Sequence, residues 1–272
     1  MLDVFNIPGQ QDNIKIFYAA GATTWQTWNK PRNCKFIWMM CIGAGAGGGT
    51  TGTTSPGFGG GCGAVTRALF PANVLPDVLF IQPGIGAINA TAGRSFVSIT
   101  PSSAITMNLV CISGNAAAGL GGNMQLGETA ATAVNANLLN LGTFTSVAGR
   151  NQPNTAIVTP LTTTITCPGG NGGTPSISTG ANIGSVDLGT FTTPNISGGT
   201  IINAGNNSDS GITYYKPFFS LGGAGGNSNN AGVGGKGGDG GIGSGGGGNG
   251  GGTVIGAVGG KGGDGLVIIA TF

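Results

Sequence analysis

The chain has no histidine, and its eight acidic residues include a single glutamate, Glu128. Without an imidazole, a Ser–His or Cys–His nucleophile is excluded. A glycosidase-type acid pair would have to come from scattered aspartates and that one glutamate. Charge is also scarce: 7% of residues are charged and the net charge is +2. That excess is too small to draw nucleic acid or an anionic membrane surface. The longest apolar run, Phe36–Ile42, is far too short to cross a bilayer, so neither nucleic acid nor membrane insertion is expected. Residues 1–13 lack the basic-then-apolar pattern of a signal peptide. Cysteine is present in an odd number, as Cys34, Cys41, Cys62, Cys111 and Cys167, with no CxxC spacing. This argues against a disulfide framework and a zinc site. It favours small buried thiols in a protein assembled in a reducing cytoplasm.

What the chain has in excess is glycine, 59 residues of it. Near the C-terminus Gly-Gly-X triplets place Val233, Lys236, Asp239 and Ile242 three apart, with glycine at every position between. Three is the period of a polyproline-type helix, neither α nor β. The unit GGKGGDG at 234–240 recurs at 259–265, where it runs into the apolar LVIIATF. Ordering each glycine costs roughly 0.5–1 kcal/mol more than ordering alanine, so the 25 glycines between Gly222 and Gly265 need a reason. A flexible linker would end in disorder or lead to another domain. This one ends in a strand-like sequence, which favours backbones packed side by side with lateral hydrogen bonds and no room for a Cβ. A valine at Gly237 or Gly238 is then expected to disrupt folding.

The remainder reads as all-β. Residues 15–18, the alternating TWQTW, Phe36–Ile42, Val78–Gln82, 94–100 and 106–113 are expected strands, and the solid apolar run Phe36–Ile42 suits burial on both faces. Between 114 and 207 the texture turns to Ala, Asn, Thr and Gly, with LGTFT at 141–145 and again at 188–192. That repeat suggests a duplicated hairpin or two equivalent strands of an inserted β-subdomain. Ala130 to Leu141 resembles a helix only weakly, since Thr and Asn interrupt it.

Phe36–Ile42 followed by Gly43, Gly45 and Gly48 fits the strand-then-GxGxxG dinucleotide fingerprint. A helix must start there to hold a pyrophosphate, yet the chain continues through Thr50, Thr51, Gly52 and Pro56. A glycine-rich loop leaving a buried strand is the better reading. In GGKGG the lysine is followed by glycine, where a phosphate loop needs Ser or Thr for the metal. Asp239 and Asp264 beside Lys236 and Lys261 are read as solubilising charges that pair laterally between adjacent polyglycine helices. No cofactor and no metal are expected, and the chain is not expected to be an enzyme. Trp25 and Trp28, three apart, would face opposite sides of one strand, one in the core and one at an interface. Tyr214 and Tyr215, with the polar stretch holding Asn195, Asn203, Asn206 and Asn207, are the candidate contact residues. Tyrosine and asparagine side chains suit glycan or loop epitopes, although core packing under the glycine layer is as good a reading of the tyrosines.

Taken together, TWQTWNKPRNCKFIWMMCIGAGAGGG, LFPANVLPD, LFIQPGIGA and the terminal GGKGGDGLVIIATF resemble the glycine-rich domain of virion proteins of tailed phages, notably tail-fibre and adhesin components, and of some other double-stranded DNA viruses. The resemblance covers about residues 20–100 and 213–272. It implies a β-sandwich-like domain with packed polyglycine helices in a virion appendage, often trimeric and non-enzymatic. The expected organisation is a leader at 1–20, a sandwich from 21–113 and 211–272, and an inserted β-rich lobe at 114–210. The expected role is a virion structural protein, assembled in the host cytoplasm: a fibre, spike or tail-tip component, with a minor capsid or decoration protein as the alternative. Its expected partners are other virion proteins, a host cell-surface glycan or protein receptor, and further copies of itself in a homotrimer.

Overall fold

The computed structural model describes residues 13–50, 57–103, 108–113, 143–147, 210–215, 218–220, 222–226, 229–254 and 257–272. No α-helix occurs among them. The protein is all-β, and two antiparallel sheets face each other as a sandwich.

The strands in chain order are β1 (Ile14–Tyr18), β2 (Gln26–Asn29), β3 (Phe36–Ile42), β4 (Val65–Pro71), β5 (Val78–Gln82), β6 (Phe96–Ser98), β7 (Leu109–Ile112), β8 (Thr143–Val147), β9 (Thr213–Tyr215), β10 (Phe218–Ser220), β11 (Asn229–Val233), β12 (Gly252–Val254) and β13 (Leu266–Thr271). The first sheet has the order β1-β13-β3-β4-β8 and the second β2-β5-β6-β7. The C-terminal strand lies beside β3, with Leu266 opposite Ile42 and Thr271 opposite Ile37. Strands far apart in the sequence, β1 and β3 with β13 between them, are thus neighbours in one sheet.

Alternation decides which side chains meet. Ile37, Met39 and Cys41 of β3, with Ala68, Phe70, Val267 and Ile269, point between the sheets at Trp28, Leu79, Ile81, Val97, Val110 and Cys111. Met40 and Ile42, with Val65, Leu266 and Ile268, form a second cluster on the opposite face of the first sheet. Strand β3 is thus buried on both sides, which explains why its sequence is apolar without alternation. Trp28 is in the sandwich core. Trp25 precedes β2, so strand alternation does not govern it, and it packs against Phe96 with ring centroids 6.3 Å apart. Strand β4, with Arg67 at its centre, was not evident in the sequence. Strand β8, which holds the TFT of the first LGTFT copy, pairs with β4 and is an edge of the main sheet among the described residues, so this part of the 114–210 segment is built into the sandwich. The weak helix signal at 130–141 and the second LGTFT copy lie outside the described residues.

Beyond the sheets the chain forms a glycine layer. The N–H groups of Gly43, Ala46 and Gly49 donate to the carbonyls of Ala64, Gly61 and Phe58. Those of Ala44 and Gly47 donate to Gly93 and Ala90, and those of Gly45 and Gly48 to Gly263 and Gly260. Three successive residues thus address three different neighbours, and the next three repeat the pattern. This is the threefold helix without internal hydrogen bonds that the triplet period calls for. The 243–251 segment is equally surrounded. Ser244, Gly247 and Gly250 donate to Gly241, Gly238 and Gly235; Gly246 and Asn249 donate to Ala46 and Gly49; Gly57, Gly60 and Gly63 donate to Asn249, Gly246 and Gly243.

Such neighbours come too close for side chains. A Cβ built at Gly48 or Gly237 falls on the Gly247 carbonyl oxygen, at Gly60 on that of Ala46, and at Gly262 on that of Gly45. Gly243, with φ of 70°, makes the turn between the 234–241 and 243–251 segments, a backbone region that glycine enters without a steric cost.

Candidate functional site

The backbone of the glycine layer is occupied with itself. The amides of Gly43, Gly45 and Gly48, the three glycines of the apparent dinucleotide fingerprint, go to the Ala64, Gly263 and Gly260 carbonyls. With these amides already bonded within the layer, the stretch does not offer them to a phosphate. It is more than the loop expected from the sequence, because it is itself one segment of the layer.

The layer has two ends. Near the sheets, Ile242 packs against the cluster of Met40, Ile42, Val65 and Ile268. The hairpin of β9 and β10, which sets Tyr214 opposite Phe219 and Tyr215 opposite Phe218, is fastened here. The Thr213 hydroxyl accepts the Ile242 N–H at 2.8 Å, and Ser244 Oγ and Thr213 Oγ1 lie 3.1 and 3.2 Å from Ser220 Oγ. Tyr214 and Tyr215 are therefore carried at the sheet-side end. Asn195, Asn203, Asn206 and Asn207 lie outside the described residues.

The opposite end was missed in the sequence. Because 43–49 leaves β3 and the chain returns to β4 through 57–64, the backbone around Gly49 and Phe58 lies at the extremity away from the sheets. Thr50 N–H donates to Asn89 Oδ1 at 3.2 Å, and Gly259 N–H donates to Thr50 Oγ1 at 3.0 Å. Asn89, with φ of 46°, thereby supplies a side-chain acceptor where the backbone series of Gly93 and Ala90 runs out. Beside these residues stand the exposed Ile88 and Val258, 60% and 43% accessible. The available signal was Ile88-Asn89-Ala90-Thr91, bulkier and more polar than a triplet pattern allows.

Charge on the layer is arranged along segments. Lys236 pairs with Asp239 at 3.4 Å and Lys261 with Asp264 at 2.9 Å, each within one segment. The expected lateral pairing takes another form: Asp239 Oδ1 accepts the Lys261 backbone N–H at 2.7 Å, and Asp264 Oδ1 accepts that of Gly86 at 2.8 Å. With three residues per turn, the lysine and aspartate of one segment stand one above the other, and each carboxylate then reaches sideways for an unpaired amide.

Three further places carry polar chemistry. Ser95 joins sandwich to layer: its hydroxyl donates to the Ile42 carbonyl at 2.6 Å and accepts the Gly84 N–H at 2.9 Å. Arg67 projects on the same face as Met40 and Val65; its Nη2 is buried without a hydrogen-bond partner among the described residues, and desolvation lowers its pKa. The four described cysteines form no disulfide, with Cys41, Cys62 and Cys111 buried. Among the described residues, no three His, Cys, Asp or Glu side chains gather in a metal-binding group, and no helix is long and apolar enough to cross a membrane.

A search of curated proteins finds none that matches the chain. A family profile described as "Glycine-rich domain" matches residues 19–271, running through the middle segment that the sequence blocks alone left out. With nearly the whole length matched and the glycine layer on view, the chain belongs to the glycine-rich domain family.

Proposed function

We propose that the protein is a non-enzymatic structural component of a virus particle, a fibre, spike or tail-tip piece that contacts the host surface. The observation that carries this reading is the glycine layer, whose amides are spent on neighbouring carbonyls in three directions. A lattice tied in this way is stiff and chemically inert, which suits a platform, and contacts then fall to the loops at its ends. The far end, with Ile88, Asn89 and Val258, offers apolar and amide groups of the kind that bind a glycan or protein receptor. The sequence blocks that resemble tail-fibre and adhesin components support the same reading. Its partners are other virion proteins and further copies of itself, in a trimer assembled in the host cytoplasm.

A second reading, a minor capsid or decoration protein, draws support from Tyr18 and Phe36, 51% and 47% accessible in the first sheet. Large apolar residues of this kind suit a surface packed on a shell. Competition separates the two. Assembled protein in excess blocks virus adsorption if it is the host-contacting component, and Ile88→Asp with Val258→Asp weakens the block if the far end makes the contact. Loss of the block in Tyr214→Ala, Tyr215→Ala instead moves the contact to the sheet-side end. No competition by a correctly assembled oligomer removes the first reading.

A further inference from the structure

We propose that Cys41 and Cys111 form a latent cross-link site, which a soluble disulfide of the glutathione type closes into a covalent bond between the two sheets. Cys41 is on β3 of the first sheet and Cys111 on β7 of the second. Both are fully buried in one and the same core cluster of the sandwich, and the neighbouring Cys111 thiol, after burial itself, helps to push the Cys41 pKa up. Strands β3 and β7 approach within 8 Å between Cα atoms, close to the range that a disulfide spans.

The pairing is selective. Cys62 belongs to the cluster on the opposite face of the first sheet. Cys34 is half-buried at the rim, where its thiol donates to the Pro31 carbonyl. Among the described cysteines, each of the two core thiols therefore has the other as its neighbour.

The chemistry balances with one oxidant molecule. A thiolate from one cysteine attacks the sulfur–sulfur bond of oxidised glutathione and releases one glutathione thiolate, leaving a mixed disulfide. The second cysteine, losing its proton, attacks the protein sulfur of that mixed disulfide and releases the other glutathione. Two protein thiols are oxidised, one glutathione disulfide is reduced, and both protons end on glutathione.

Burial raises the pKa of the Cys41 thiol, so its thiolate is scarce while the core stays closed. Access comes through β7, which among the described residues is an edge strand paired to β6 alone; releasing it breaks that ladder. The bond should therefore form slowly, and faster in mild denaturant. Once formed, it would tie the edge strand to the centre of the first sheet.

The test uses the reduced full-length chain, incubated with oxidised glutathione in urea below the unfolding transition, quenched by alkylation and peptide-mapped. The expected product is one cross-linked peptide pair containing Cys41 and Cys111, with a melting temperature raised by about 5–15 °C. The cross-link should persist in Cys34→Ser and Cys62→Ser and vanish in Cys111→Ser. Several results overturn the proposal: either core cysteine linked elsewhere, glutathione retained on one of them without closure, or a closed bond that lowers the melting temperature. So does absence of the bond under conditions where amide exchange shows β7 opening.

Discussion

The Asp239 carboxylate accepts the backbone N–H of Lys261 at 2.7 Å, which sets the two copies of GGKGGDG on neighbouring segments one triplet out of step. Gly237 and Gly240 donate to Val258 and Lys261, so Asp239 stands level with Lys261 rather than with its equivalent, Asp264. The stagger puts opposite charges side by side where an in-step repeat would put like charges. Asp239→Ala is expected to cost about 1–2 kcal/mol, because a partly buried amide loses its acceptor. Lys236→Ala should cost less than about 0.5 kcal/mol, since its pair with Asp239 is exposed. Melting curves of the two variants check the order; the reverse order would mean that the ion pair matters more than the amide bond.

Gly237→Ala should cost about 3 kcal/mol or more, or abolish folding, since its Cβ falls on the Gly247 carbonyl oxygen and backbone cannot move aside as a side chain can. Lys236→Val, one residue away and pointing outward, is the control and should fold. Equal tolerance at both positions in thermal unfolding would remove the close-packed layer.

Amides of residues 44–48 and of Gly246, Gly247, Asn249 and Gly250 should exchange slowly, near the global opening limit, because they donate to carbonyls of other segments. Hydrogen exchange followed by mass spectrometry measures this directly. Exchange at random-coil rates through both stretches would restore the linker reading.

Ser95→Ala should cost about 1–3 kcal/mol, because the buried Gly84 N–H loses its hydroxyl acceptor and the Ile42 carbonyl loses the bond it receives beside the β3–β13 ladder. Ser98→Ala loses a partly buried bond to the Asn108 carbonyl and a longer one from the Thr100 N–H and should cost about 1 kcal/mol. Denaturant midpoints of the two variants give the comparison.

Arg67→Met should raise stability by about 1–2 kcal/mol, because it removes a buried nitrogen that has no partner among the described residues and keeps most of the side-chain volume. Urea unfolding of the isolated chain is the measurement. A loss of stability would show that the guanidinium is held by a bond that the structure does not contain.

The amino-acid sequence by itself determined the local periods. Apolar density in Phe36–Ile42 and Leu266–Thr271 specified strands buried on both faces, and the Gly-Gly-X spacing from Val233 to Ile242 specified a threefold helix. These features are legible because strand and polyglycine geometry depend on residues two or three apart. Only the tertiary structure decided what lies beside what. It paired β13 with β3 across the length of the chain, and it turned Gly43, Gly45 and Gly48 from an apparent phosphate loop into a segment of the layer. It also recruited Val65–Pro71 as an inner strand carrying Arg67, brought Asn89 to Thr50 at the far end, and gathered Cys41 and Cys111 into one core cluster. The physical reason is that lateral hydrogen bonds and facing side chains join residues tens to hundreds of positions apart, and a glycine triplet is identical whichever neighbour it meets.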